Sequence, residues 1–176
     1  MFLETKRLIL RKLREEDFAD FCAYAIDPEM CRMMGNELMD SEETARETFN
    51  WLKDMEKRCY GLVYKETGRV IGNLSITDVW PETAALPQLE GKQGKSLSFC
   101  ISRWYRRRGL MSEAVRAVAD RLFQEEGMDY VHCGYFDFNE VSRLFQEKLG
   151  FTNLTTITMD FKGEQRVGVE NVLWKK

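Results

Sequence analysis

Apolar positions recur along this chain with two periods, near two and near 3.6, and their succession predicts short strands interleaved with amphipathic helices. Arg7 to Leu13 reads as an opening strand. Glu15 to Ile26 follows a helical period with Phe18, Phe21, Cys22 and Ala25 on one face, and Pro28 is read as its stop. Ser41 is placed to cap a second helix that turns Ala45, Phe49 and Leu52 inward. Cys59 to Lys65 and Arg69 to Asp78 form a hairpin around Thr67-Gly68, with Leu74 and Ile76 opposed to Ser75 and Thr77. Trp80 to Lys95 holds two prolines and two glycines and reads as a loop. Ser96 to Ser102 alternates, with Leu97, Phe99 and Ile101 on one side. Gly109 to Glu126 carries the strongest helical stripe, Leu110, Met111, Ala114, Val115, Val118, Ala119, Leu122 and Phe123, and Gly127 stops it. Tyr130 to Tyr135 is a strand. Asn139 caps a short helix bearing Val141, Leu144, Phe145 and Leu149. Thr152 to Phe161 and Arg166 to Trp174 close the chain around a turn at Lys162-Gly163. Mixed strand and helix order with hairpins at both ends predicts an α+β fold on one central mixed sheet.

Composition narrows the class. The chain has 176 residues, 44% of them hydrophobic, which suits one self-sufficient core without staples. Lys and Arg number 26 against 29 Asp and Glu, and the balance of −3 argues against disorder and against a general nucleic-acid binder. Five cysteines are an odd number with no CxxC pair, and the one histidine, His132, makes a zinc site a poor fit. Reduced thiols in a cytoplasmic protein are the simplest reading. The opening residues to Phe18 are too charged for a signal peptide, and no run approaches the roughly 20 apolar residues that span a bilayer.

Candidate chemistry lies where a strand gives way to a basic turn and the long helix, Ser98 through Ala114. A helix N-terminus offers unpaired N–H groups and the positive end of the dipole, a setting for phosphate. Gly109 lets backbone approach an anion, and Arg106, Arg107 and Arg108 add charge. A solvated basic turn that needs its glycine only to bend is an equal reading of the same residues.

Arg106-Arg-Arg-Gly109-Leu-Met111 resembles motif A of the GNAT superfamily of acyl-CoA N-acyltransferases, Q/R-x-x-G-x-G/A. Met111 departs from its last position, whereas Gly109-Leu-Met-Ser-Glu113-Ala is similar to the G-x-M-x-E-A of the ribosomal-protein N-terminal acetyltransferase branch. Asn139-Glu-Val-Ser142 followed by Lys148-Leu-Gly-Phe151 resembles motif B. Thr5-Lys-Arg7-Leu-Ile-Leu-Arg11, Asp27-Pro28-Glu29 and Gly68-Arg-Val-Ile-Gly72 resemble further features of that branch. The resemblance runs through nearly the whole chain, so residues 1–176 are expected to form one domain. It implies a mixed, largely antiparallel sheet of about seven strands with about four helices, split into a V between two central parallel strands.

In such enzymes acetyl-CoA lies in that V. The resemblance implies pantetheine pairing with backbone at Cys100, Ile101 and Ser102, and pyrophosphate at the turn and helix start, Arg106, Arg107, Arg108, Gly109, Leu110, Met111 and Ser112. Asn139 and Ser142 would line the cofactor side, although each has a local role as helix cap and first-turn residue. No metal is implied. Many members carry a motif B tyrosine as thiolate acid where Gln146 stands here, which leaves Ser142 as the substitute. Others carry a strand glutamate near Ser96, and a serine by itself is not a base at neutral pH. The base therefore stays open among Asp78, Glu82, Glu90 and ordered water, and Glu113 has a helix-dipole explanation. Met30, Met33, Met34 and Met39 fall in the region that walls the acceptor site in this fold, and read equally as packing. Trp80 and Trp104 read as packing before walls.

The implied activity is transfer of acetyl to a primary amine, on a peptide N-terminus or a small molecule, by direct attack in a ternary complex. A homodimer is common in the family and is expected on that ground alone. A non-catalytic acyl-CoA-binding module is the rival reading, and RNA contact through Arg103 to Arg108 is the weakest.

Overall fold

The computed structural model describes residues 3–35, 38–55, 58–161 and 163–176. The expected turn at Lys162-Gly163 lies partly outside them, at Lys162. Eight strands among these residues follow the hydrogen-bonding order β1-β2-β3-β4-β5-β6-β8-β7. They are β1 (Leu3–Glu4), β2 (Leu8–Arg11), β3 (Cys59–Tyr64), β4 (Val70–Asp78), β5 (Gly94–Ile101), β6 (Tyr130–Phe136), β7 (Thr152–Phe161) and β8 (Glu164–Trp174). The helices are α1 (Phe18–Ala25), α2 (Pro28–Met34), α3 (Glu42–Asp54), α4 (Pro81–Ala84), α5 (Leu110–Gln124) and α6 (Glu140–Leu149). The α+β class and mixed sheet are as the sequence predicts. The added strand β1 is two residues long, too short to show alternation. The added helices α2 and α4 both begin at proline, a residue that in the sequence marks a break. Pro28 in fact stands at the start of α2, where its missing N–H is harmless, and Asp27 caps that helix by accepting the N–H of Glu29.

The chain forms two compact units, Met1–Ile76 with Phe99–Val118, and Thr77–Ser98 with Ala119–Lys176. In the first unit β1 to β4 run antiparallel to their neighbours. The cluster of Phe18, Phe21, Tyr24, Ala25, Cys31 and Phe49 closes one core. Its rings meet edge-on, Phe18 with Phe49 at 5.3 Å and Phe21 with Tyr24 at 5.4 Å, the arrangement the ring quadrupole favours. Ser41 caps α3 reciprocally with Thr44. Met30 and Met39 are buried and Met33 and Met34 half-buried, whereas Trp104 is exposed.

In the second unit β5 pairs parallel with β6 over Gly94–Ser96 and Tyr130–His132. The rung of Ser96 with His132 is the last, although both strands continue. β6 pairs antiparallel with β8 along its whole length, and β8 with β7. Leu89, Tyr130 and Val172 anchor its core, with Val79, Leu154 and Trp174 against them. Trp80 is exposed, against the expectation of packing. The apolar face expected of α6 is also corrected: Val141 and Leu144 are exposed, and the fully buried residue is Gln146.

Candidate active site

In the first unit, β5 hands the chain to a basic turn that opens α5. Ser102 N–H donates to Ile71 O at 2.8 Å, which fastens the end of β5 to β4. A short 3₁₀ turn, Arg103–Tyr105, follows, and Arg106 is extended. Arg107 and Gly109 then both take left-handed backbone, at φ +61° and +74°. Glycine holds that conformation freely, whereas a β-carbon costs about 1 kcal/mol or more. The strain at Arg107 is therefore a price met by the surrounding structure, as recurs at ligand-binding backbone. Glu113 N–H is the first to reach back along α5, to Gly109 O at 3.1 Å. The N–H groups before it in that turn have no partner within the helix.

The side chains there divide into two sets. Leu110 and Met111 are buried in the apolar stripe, so only their backbone is available to a ligand. Arg106 is engaged, donating Nε–H to Ile101 O at 3.4 Å and pairing with Glu29 at 3.4 Å. Arg107 and Arg108 are exposed, Arg108 with its guanidinium 5.3 Å from the Tyr105 ring centre. The arrangement is a cationic turn around a helix start.

At the end of β5, Ser102 N–H turns toward β4, and the Cys100 carbonyl lies against Gly72 of the same strand, where an added β-carbon would stand 2.2 Å away. By strand alternation the backbone groups of Ile101 point the other way. Of the three residues expected to pair with pantetheine, Ile101 alone has this orientation. The Cys100 thiol donates to Asn73 Oδ1 at 3.0 Å, which also accepts from Tyr24 OH at 3.1 Å. Burial pushes that thiol up to about 12.

In the second unit Asn139 Oδ1 accepts Ser142 N–H at 3.0 Å, the capping bond that starts α6. Ser142 Oγ accepts from Gln146 Nε2 at 3.1 Å, and Gln146 Oε1 accepts from Asn171 Nδ2 at 3.0 Å. Gln146, at 0% exposure, thus holds Ser142 from below through a buried amide chain. The open alternatives for the base are not gathered at one place: Asp78 pairs with Lys95, and Glu82 and Glu90 are exposed.

One constellation has no signature in the sequence. Ser96 Oγ and His132 Nδ1 lie 2.9 Å apart, and His132 Nε2 bonds the Glu170 carboxylate. His132 and Glu170 are both more than nine-tenths buried or close to it, at 7% and 9% exposure. The three residues come from β5, β6 and β8. Only the strand register joins them, and no spacing in the sequence displays that register. Among the described residues no group of three or more His, Cys, Asp or Glu is placed to hold a metal, and no helix is long and apolar enough to cross a membrane.

Residues 7–152 match the family model described as an acetyltransferase (GNAT) domain, and the chain belongs to that family. Two Bacillus proteins are similar along most of their length. The chain is 27% identical to the N-acetyltransferase p20 of Bacillus licheniformis over 136 residues, 74% of this chain and 71% of that one. It is 30% identical to the N-acetyltransferase YoaA of Bacillus subtilis over 154 residues, 85% of this chain and 81% of that one. Among solved structures, a GNAT acetyltransferase from Bacillus anthracis superimposes with a TM-score of 0.83 at 18% identity, covering 99% of this chain and 98% of that one. The ribosomal-protein-S5-alanine acetyltransferase of Vibrio fischeri does so with a TM-score of 0.72 at 16% identity, covering 100% of each. At these identities the likeness is one of fold. The protein is an acetyltransferase.

Proposed function

We propose that the chain moves the acetyl group of acetyl-CoA to a primary amine, on a peptide N-terminus or a small molecule, by direct attack in a ternary complex. The observation that carries this reading is the pair of left-handed residues, Arg107 and Gly109, at the start of α5. They fit a pyrophosphate: backbone N–H groups at a 15-residue helix start, a glycine that keeps side-chain bulk away, and two exposed guanidinium groups. Ile101, with its backbone turned from β4, suits an extended pantetheine arm and an N–H for the thioester oxygen. Ser142 suits the departing thiolate, because Gln146 fills an acceptor lone pair and leaves the hydroxyl hydrogen to donate. Residues 1–176 act as one domain on this reading, since the family match spans both compact units. Five free thiols suit a reducing compartment such as the cytoplasm.

The test is thiol release from acetyl-CoA against a panel of amines and N-terminal peptides, with calorimetric binding of coenzyme A alongside. Amine-dependent release, with acetylated acceptor seen by mass spectrometry, is the expected result. Tight coenzyme A binding without turnover on any acceptor would instead identify a non-catalytic acyl-CoA-binding module.

A further inference from the structure

We infer that Ser96 is the group that takes the acceptor amine's proton, passing its own to His132, which Glu170 holds in place. The inference rests on the amine-transfer reading above. Three observations carry it. The first is the chain of bonds itself, Ser96 Oγ to His132 Nδ1 at 2.9 Å and His132 Nε2 to Glu170. A carboxylate on Nε2 fixes the proton there and leaves the Nδ1 lone pair to accept from the serine hydroxyl. The serine oxygen is then left with lone pairs to receive a proton from outside. This is the same division of labour by which a hydroxyl is activated in acyl-transfer sites.

The second is cost without structural need. Taking a carboxylate and an imidazole out of water is expensive, and apolar residues of similar size would fill a sheet face at no such penalty. The backbone also makes room for the pair: a β-carbon at Gly134, the register partner of Glu170, would stand 3.0 Å from Glu170 Oε1.

The third is position. Ser96 and His132 form the last rung of the β5–β6 ladder, at the point where the two parallel strands stop pairing. Side chains alternate along β8, so Glu170 and Asn171 lie on opposite faces. Asn171 reaches Gln146 and, through it, Ser142. The relay and the serine suited to the thiolate therefore lie on opposite sides of the sheet. Direct attack uses two proton transfers at different atoms, one from the incoming amine and one to the departing sulfur, and the two groups are placed apart as those separate roles require.

The acceptor ammonium gives one proton to Ser96 Oγ as the Ser96 hydroxyl proton moves to His132 Nδ1, leaving imidazolium beside the Glu170 carboxylate. The freed lone pair forms the C–N bond. The C–S bond breaks with its electrons on sulfur, the remaining excess proton on nitrogen ends on that sulfur, and His132 returns its proton to water.

The experiment compares wild type with Ser96→Ala, Ser96→Thr, His132→Gln and Glu170→Gln on an acceptor for which wild type shows amine-dependent thiol release. Ser96→Ala is expected to lose about 10²–10⁴-fold in kcat, the usual span for a positioned acid or base, with coenzyme A affinity unchanged. Ser96→Thr, which keeps the hydroxyl, is expected to recover most of the rate. The deficit of Ser96→Ala and of the two positioning variants is expected to shrink as pH rises toward the acceptor's own pKa, where the amine arrives already neutral. Wild-type kcat in Ser96→Ala, or a deficit that is constant with pH, overturns the relay while leaving amine transfer intact. A wild type that binds coenzyme A but acetylates no amine overturns both. Should His132→Gln fail to fold, Ser96→Ala with its threonine control decides the matter alone.

Discussion

Glu113 accepts both the backbone N–H and the Nε–H of Arg7, each at 2.7 Å, from 106 residues further along the chain. Thr5 Oγ1 adds a third bond at 2.6 Å, and Arg7 Nη1 continues to Arg108 O at 2.8 Å. The opening strand segment, the first turn of α5 and the basic turn are thereby tied at one carboxylate. Burial alone would raise the Glu113 pKa; the bonds from Thr5 and Arg7 outweigh it and hold the carboxyl below its ordinary value. A lowered carboxylate stabilises the fold fully above its ordinary value and ceases to do so as pH falls through the folded one. Glu113→Gln is expected to lose about 1–3 kcal/mol at pH 7 by denaturant titration. The gap from wild type should close on acidification below about pH 4. A gap that is constant with pH would show that the amide repacks the site instead.

Gly109 separates conformational from electrostatic demands. A β-carbon there has room, its nearest contact being Arg7 Nη2 at 3.5 Å, so the difficulty is the φ of +74°. Aspartate tolerates left-handed backbone better than alanine and suits a helix start. Gly109→Asp is therefore expected to change stability by less than about 1 kcal/mol. It should weaken coenzyme A at least about tenfold, because it sets a carboxylate against the pyrophosphate. Gly109→Ala should do the reverse, costing about 1 kcal/mol in stability with the smaller loss of affinity. Unchanged affinity in the aspartate variant, read by calorimetry, would move the phosphates elsewhere.

These two residues also show what the chain reveals before it folds. The eight apolar positions of α5 follow one helical stripe, and all eight are buried, because a long helix against a core imposes its period on the sequence. The strand β7 spans Thr152 to Phe161, the bounds the sequence predicts. Glu113 itself is different. A glutamate in a first helical turn is explained by the dipole, and nothing local reports that Thr5 and Arg7 meet it. The same holds for Ser96, His132 and Glu170, whose meeting depends on the register of three strands. In α6 the helical period is legible, but it marks Val141 and Leu144 and not Gln146, whose burial depends on its bond to Asn171. Local pattern shows where elements lie. Which polar groups the elements bring together is a property of the sheet.

The thiols supply an independent check on burial. Burial pushes both Cys100 and Cys133 up to about 12, helped at Cys133 by the Glu170 charge, and it also raises Cys59 and Cys22. At pH 8 the thiolate fraction of the first two is on the order of 10⁻⁴, and thiolate is the reactive form. Native protein is expected to release little colour with a disulfide reagent over minutes, Cys22 reacting first as a half-exposed thiol. All five cysteines should react promptly in denaturant. The enzyme's own thiols would then be silent in an assay that reads coenzyme A release. Rapid labelling of Cys100 in the native state would mean that the end of β5 opens to solvent.

Gln146 offers the sharpest separation of structure from chemistry. Its side chain joins Asn171 to Ser142 with bonds of 3.0 and 3.1 Å while wholly buried. Gln146→Leu leaves the Asn171 amide without its acceptor, and an unmet buried donor costs about 1–3 kcal/mol. Adding Asn171→Leu removes the orphaned donor and should restore much of that stability, since two apolar groups can replace a buried hydrogen bond nearly neutrally. Neither variant returns the bond that orients the Ser142 hydroxyl. If Ser142 donates to the departing thiolate, the stable double variant should keep the low kcat of the single one, and Ser142→Ala should match both with coenzyme A affinity intact. Recovery of kcat together with stability would reduce Ser142 to a contact, and the thiolate would take its proton from water.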